Sequence, residues 1–141
     1  MAIKLKKGIK ELVAEADAVI TTISTDDAIQ RHGGGDENTV FIDIRDVREL
    51  ERDGMVPGAM HVPRGMVEFW FDPESPYYKE ALGDENKTYV LYCAAAWRSA
   101  LSCKTLHDMG FPNAVHFAEG FKGWKDAGGP VGEKPSKKKQ E

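Results

Sequence analysis

The sequence predicts an α/β fold: an open, mostly parallel sheet with helices on both faces. Three observations carry this prediction. Short β-branched or apolar segments alternate with segments of helical spacing along most of the chain, the pattern of a parallel sheet crossed by helices. Residues 39–44 and 89–92 are near-continuous apolar runs, which suits central strands buried on both faces. The length, 141 residues, suits one domain with one core.

The elements follow in order. Residues 7–18 place Ile9, Leu12, Val13 and Ala16 at helical spacing. Residues 20–23 are short and β-branched, a minor strand. Ser24 caps a helix over residues 25–31, with Asp27 three residues on in a capping-box-like arrangement. Gly33, Gly34 and Gly35 then form a flexible linker, because no phosphate-loop signature follows them. Asp43 is the exception inside the apolar run 39–44. Residues 47–52 form a short helix stopped by Asp53 and Gly54, and Pro57 with Gly58 sets a turn. A short strand at residues 60–62 and an aromatic-rich helix at residues 65–71 come next. Residues 72–76 break the pattern and residues 77–82 restart a short helix. After strand 89–92, residues 99–109 form a helix closed by Gly110. Residues 114–117 are a strand and residues 121–127 the last helix. The chain thus divides into an N-terminal helical extension (1–19), a main domain (20–131) and a charged tail (132–141) expected to be disordered.

Composition narrows the function classes. Apolar content is 41%, charged content 30% and net charge −4. That balance gives no nucleic-acid footprint. No apolar run is long enough to span a bilayer, and Glu11, Glu15 and Asp17 interrupt any signal-peptide core after the N-terminal lysines. The expectation is a cytoplasmic protein that engages neither nucleic acid nor membrane. Two cysteines, Cys93 and Cys103, do not make a disulfide scaffold in a reducing compartment. They make no zinc-type ligand cluster either, so no metal and no cofactor is expected.

The chemistry-bearing stretch is the loop between strand 89–92 and helix 99–109. Cys93 opens it at the carboxyl end of the strand, and Arg98 follows after four intervening residues. Ligands of open parallel sheets bind at carboxyl ends of strands, and Asp43 and Arg45 sit at another such end. Amides of Ala94, Ala95, Ala96, Trp97 and Arg98 turned inward around the sulfur favour thiolate over thiol. Arg98 either pairs with a substrate anion or braces the loop, and Ser99 can cap the helix. Such a site suits a nucleophilic sulfur that accepts a group from an anionic donor and passes it on. A cysteine after a strand, taken alone, reads as an inert buried residue; the C-x4-R-S loop is what favours catalysis. Trp97 is expected at the entrance. Arg45 either adds positive potential to the pocket or pairs with Asp43 as structural support. Arg64, near Phe69 and Trp70, either binds an anionic donor or lies on the surface. Cys103, in line with Ala100 and Leu106, is a small core residue or, alternatively, a resolving thiol. His32, His61, His107 and His116 show no ligand or base spacing and receive no role.

Three blocks make the chain similar to the rhodanese homology domain, specifically the single-domain rhodanese-like sulfurtransferases. They are Phe41-Ile42-Asp43-Ile44-Arg45 with Glu49; Gly54 to Ala59 followed by His61-Val62-Pro63-Arg64-Gly65; and Leu91-Tyr92-Cys93 through Arg98-Ser99-Ala100, continued by Leu106, Met109-Gly110-Phe111, Gly120-Phe121 and Trp124. The resemblance covers roughly residues 20–131. It implies a five-stranded parallel sheet flanked by helices. It also implies that Cys93 takes sulfane sulfur from a donor such as thiosulfate, becomes a persulfide, and passes the sulfur to cyanide, a thiol or a protein acceptor. A persulfide carrier or sensing module for a protein partner is the alternative. The related cell-cycle phosphatases have a loop one residue longer, so four intervening residues favour sulfur over phosphate. The chain departs from the family pattern at Ala96, where the loop usually has glycine, and at Met55, where histidine is frequent.

Overall fold

The computed structural model describes residues 1–135. The elements are α1 (Ile9–Val19), β1 (Thr21–Ile23), α2 (Thr25–Gly33), β2 (Thr39–Asp43), α3 (Val47–Asp53), β3 (Met60–His61), α4 (Val67–Phe71), β4 (Thr88–Tyr92), α5 (Trp97–Asp108), β5 (Ala114–Phe117) and α6 (Gly120–Asp126). The five strands form one parallel sheet in the order β1-β5-β4-β2-β3. The sheet predicted from the alternation, with helices on both faces, is the one observed.

Side chains alternate across the pleat, and this splits the core in two. Along β4 and its extension, Tyr89, Leu91 and Cys93 face one side with Ile42, Ile44, Val67, Phe71 and Leu106. Val90 and Tyr92 face the other with Phe41, Val115, Phe117, Phe121 and Trp124. Central strands β4 and β2 are therefore apolar on nearly every residue, while the edge strands β1 and β3 are only three and two residues long. Short edges leave little backbone open to unwanted pairing.

Several boundaries move, each for a local reason. Helix α5 starts at Trp97, two residues before the expected start, because Ala96 rather than Ser99 occupies the cap position. The helix expected at 65–71 is a 3-10 turn, Arg64–Met66, followed by the single α-helical turn of α4. The helix expected at 77–82 reduces to a 3-10 turn, Glu80–Leu82. Pro76 and Gly83 leave too few residues between them to propagate an α-helix. Gly33 belongs to α2, and Gly34 caps it through its N–H to Gln30 O.

The two ends of the chain are tied to the domain. Helix α1 lays Val13 and Ala16 against Ala100 and Leu101 of α5. At the other end, Gly132 exchanges two backbone hydrogen bonds with Met55, of 2.9 and 2.7 Å. The charged tail expected to be disordered from residue 132 is therefore pinned at its first residue. Its residues 136–141 lie outside the described residues.

A candidate active site around Cys93

Cys93 continues the inward-facing row of β4 and is 1% exposed. The backbone then turns through Ala96, which has φ 75° and ψ 0° and is the non-glycine residue with positive φ among the described residues. Left-handed backbone costs an alanine on the order of 1–2 kcal/mol. The turn starts α5 immediately, and Ser99 in its first turn folds back onto the cysteine. Ser99 N donates to Cys93 Sγ at 3.3 Å, and Ser99 Oγ lies 3.6 Å from the same sulfur. Among the described residues, the amides of Ala94, Ala95, Ala96, Trp97 and Arg98 donate to no backbone acceptor. They stand at a helix N-terminus, where free N–H groups and the dipole attract an anion.

Helix α6 seats the loop. Phe121 N donates to Cys93 O at 2.8 Å and Lys122 N to Ala94 O at 3.2 Å. The contact is close because residue 120 is glycine, with φ 65°. A Cβ there would stand 2.7 Å from the carbonyl carbon and oxygen of Ala94 and 2.8 Å from Ala95 N. All three atoms are backbone and cannot rotate away.

Two arginine–carboxylate pairs flank the loop. Arg98 forms a fork with Glu49, at 2.8 and 3.0 Å, and that guanidinium holds the Glu49 carboxyl below its ordinary value. Of the two roles open to Arg98, the geometry shows the bracing one. Arg45 is 1% exposed. Its Nε and Nη2 reach both oxygens of Asp43, Nη2 also donates to Gly54 O at 2.7 Å, and the guanidinium stacks on Phe121 at 4.4 Å. Of the two roles open to Arg45, the pairing with Asp43 is the one its contacts match: its charge is buried and committed to Asp43 and Gly54 O, away from a pocket role. Asp43 is its fully buried partner. Arg64 lines a different depression, with Leu101, Lys104, Thr105 and Asp108, that residues 93–99 do not line.

Trp97 is half exposed. With Ala95, Ala96, Ala118, Asp17, Thr22 and His116 it lines a cavity of about 290 Å³ against the outer side of the loop. Cys103 is buried in the same core as Cys93, both cysteines are free, and burial pushes the Cys103 thiol well up. The expected cap role of Ser99 is replaced by its contact with the sulfur. The run of three alanines therefore does not deprive the sulfur of a hydroxyl, because Ser99 brings one from the helix.

Residues that the sequence reasoning left without a role gather here. His116 Nδ1 is 2.8 Å from Ser99 Oγ, and its Nε2 is 3.0 Å from Thr22 Oγ1 and 3.6 Å from Asp17 Oδ1. Burial lowers the His116 pKa below its ordinary value, with Asp17 pulling the other way. The signal that singled out Asp43, a polar residue near the carboxyl end of an apolar strand, applies equally to His116 in the run of residues 114–117.

A parallel α/β sheet with a buried thiol just past a strand end, followed at once by a tight loop and a helix, defines the class, an α/β domain with a cysteine loop. Within that class the chain belongs to the rhodanese-like domain family, which it matches over residues 24–127. A Rhodopseudomonas palustris protein of unknown function, described as a possible tyrosine phosphatase, is 47% identical with a TM-score of 0.89. The match covers 93% of this chain and 98% of that one. A Bacillus subtilis protein provisionally named as a sulfur carrier, YrkF, is 28% identical over 85% of this chain. A mouse thiosulfate sulfurtransferase/rhodanese-like domain-containing protein is 28% identical over 62%. The chain spans 58% and 59% of the length of those two relatives. Thiosulfate sulfurtransferase from Pseudomonas aeruginosa shares the fold at 21% identity and a TM-score of 0.74, over 91% of this chain and 23% of that one. No described helix is long and apolar enough to cross a membrane.

Proposed function

We propose that the protein is a sulfurtransferase that carries sulfane sulfur on Cys93. The supporting observation is the Cys93 sulfur held by Ser99 N–H at the start of a loop whose amides, residues 94–98, have no backbone acceptor of their own. In the first half-reaction the Cys93 thiolate attacks the outer sulfur of thiosulfate. A sulfur–sulfur bond forms to Cys93, the bond to the sulfonate breaks, and sulfite leaves with the electron pair. The product is a Cys93 persulfide anion whose charge meets the amides of residues 94–98. In the second half-reaction cyanide or a thiol attacks the terminal sulfur, and Cys93 departs as thiolate. Two free cysteines fit a reducing, cytoplasmic setting.

Two relatives' names motivate alternatives. YrkF suggests a carrier that loads sulfur for a protein acceptor, and the Rhodopseudomonas protein suggests phosphate-ester hydrolysis; the four-residue spacing between Cys93 and Arg98 favours sulfur. Intact mass after thiosulfate should rise by one sulfur atom, and cyanide should remove it as thiocyanate. Cys93→Ser should do neither while keeping the wild-type melting temperature. Loading without discharge to cyanide would indicate the carrier. Phosphate release from an aryl phosphate without sulfur loading would indicate the phosphatase.

A further inference from the structure

The buried histidine beside the loop, on β5, has a polar partner on each side, and the three partners lie on three other elements: Ser99 on α5, Thr22 on β1 and Asp17 on α1; Cys93 follows directly after β4. Their side chains form a continuous chain: 3.6 Å from Cys93 Sγ to Ser99 Oγ, 2.8 Å from Ser99 Oγ to His116 Nδ1, and 3.0 and 3.6 Å from Nε2 to Thr22 and Asp17. Both hydroxyls can donate or accept, whereas the Asp17 carboxylate only accepts, so the arrangement is best met with the ring hydrogen on Nε2 and with Nδ1 accepting from the Ser99 hydroxyl. The Ser99 oxygen then presents a lone pair to the Cys93 thiol.

We propose that Ser99 and His116 form a proton relay that ionises Cys93, completed by Asp17 from the N-terminal helix. The thiol S–H bond breaks as its proton passes to Ser99 Oγ, while the original Ser99 proton passes to His116 Nδ1. Ser99 now donates to the thiolate and accepts from the imidazolium, so the Cys93–Ser99 and Ser99–Nδ1 hydrogen bonds are kept with their direction reversed, while Nε2 donates before and after. Asp17 stabilises the imidazolium at Nε2, and among the described residues it is the charged group within ion-pair range of the ring. Ser99, which touches the sulfur, is the relay's catalytic member; His116 and Asp17 act through it as positioning residues. The device reaches beyond the family's own span, since Asp17 and Thr22 precede residues 24–127. Helix α1 is thereby given a function besides packing on α5: it delivers the carboxylate.

The relay deepens the sulfurtransferase reading and rests on Cys93 as nucleophile, yet its test is separate from turnover. The thiolate's ultraviolet absorbance, taken as the difference between each protein and its Cys93→Ser counterpart, gives the Cys93 titration directly. His116→Asn keeps a polar group near Nδ1 but cannot take up the proton, and it should raise the titration midpoint by about one pH unit or more. Asp17→Asn changes a half-exposed side chain and should shift it the same way by less. Ser99→Ala should behave as His116→Asn does, and Ser99→Thr, which restores a hydroxyl, should titrate like the wild type. Unmoved midpoints in both His116→Asn and Asp17→Asn overturn the relay, whether or not sulfur loads. Shifted midpoints in a protein that takes no sulfur from thiosulfate support the relay and overturn the sulfurtransferase reading instead.

Discussion

Two adjacent strands end side by side, and the loops that leave them are built on opposite plans. β2 and β4 pair in register up to Asp43 and Tyr92, and Ile44 N donates onward to Tyr92 O at 3.1 Å. Beyond β2 the chain caps its next helix with side chains. Asp46 accepts from Arg48 N at 2.8 Å, Glu49 reaches back to Asp46 N at 3.0 Å, and Asp43 accepts from Arg45 N at 3.0 Å. Beyond β4 the cap is an alanine in left-handed backbone with no side-chain acceptor. The same fold element satisfies its donors in one loop and leaves them open in the other. Side-chain caps stabilise a helix start; leaving them out costs stability and keeps donors free for a ligand. Glu49 joins the two plans, since it closes the first loop's capping box and holds Arg98 of the second.

The largest expected effect falls on the closed loop. Asp43→Asn strips half of a fully buried pair and leaves Arg45 charged beneath Phe121. Removing one member of such a pair costs on the order of 3–5 kcal/mol. Chemical denaturation should show that loss. If the variant were as stable as the wild type, Asp43 would not be the support of this rim.

The open loop should break in the other currency, activity. Gly120→Ala drives a methyl into the backbone of Ala94 and Ala95, and the loop must move to admit it. A displacement near 1 Å at a reacting group can lower rate by roughly 100-fold. Sulfur loading should fall by about that factor, with a smaller loss in the denaturation midpoint. Loading at the wild-type rate would mean that the seat on α6 does not set the loop's position.

This division also explains what was legible in the sequence. The sheet, its central strands and Cys93 could be read because period-two burial and a strand–loop–helix boundary are local signals. Arg45 and Arg98 were visible as charges, but their commitments were not: Arg98 meets Glu49 across 49 residues. Gly120 reads from sequence as a helix boundary, and only the approach of Ala94 shows why a side chain is excluded. His116 and Asp17 were missed because no spacing rule connects them to Cys93. They meet because β5 lies between β1 and β4 in the sheet.

Acid should act on the strut between the loops. Arg98 lowers the folded-state pKa of Glu49 from its ordinary 4.5. A carboxylate with a lowered folded pKa stabilises the fold fully above its unfolded value, and that contribution is lost as pH falls through the folded one. Wild-type melting temperature should therefore drop below about pH 4.5, and Glu49→Gln should remove part of that drop while lowering the plateau above it. Identical pH profiles for the two proteins would show that the fork, though partly buried, contributes as little to stability as a surface pair does.

Ala96 is where the open plan carries its strain, and the smallest expected effect tests it most directly. Glycine at φ 75° escapes the Cβ clash of on the order of 1–2 kcal/mol, but its more disordered unfolded chain takes back roughly 0.5–1 kcal/mol. Ala96→Gly should thus raise stability by about 0.5–1 kcal/mol, measured by denaturant midpoint. Alanine already holds the turn that puts Ser99 N 3.3 Å from the sulfur, so relief of strain alone should leave sulfur loading within about twofold of wild type. A large gain in loading would mean that alanine distorts the amides of the loop as well as straining the turn. The strain would then sit in the anion site itself rather than in the backbone that carries it.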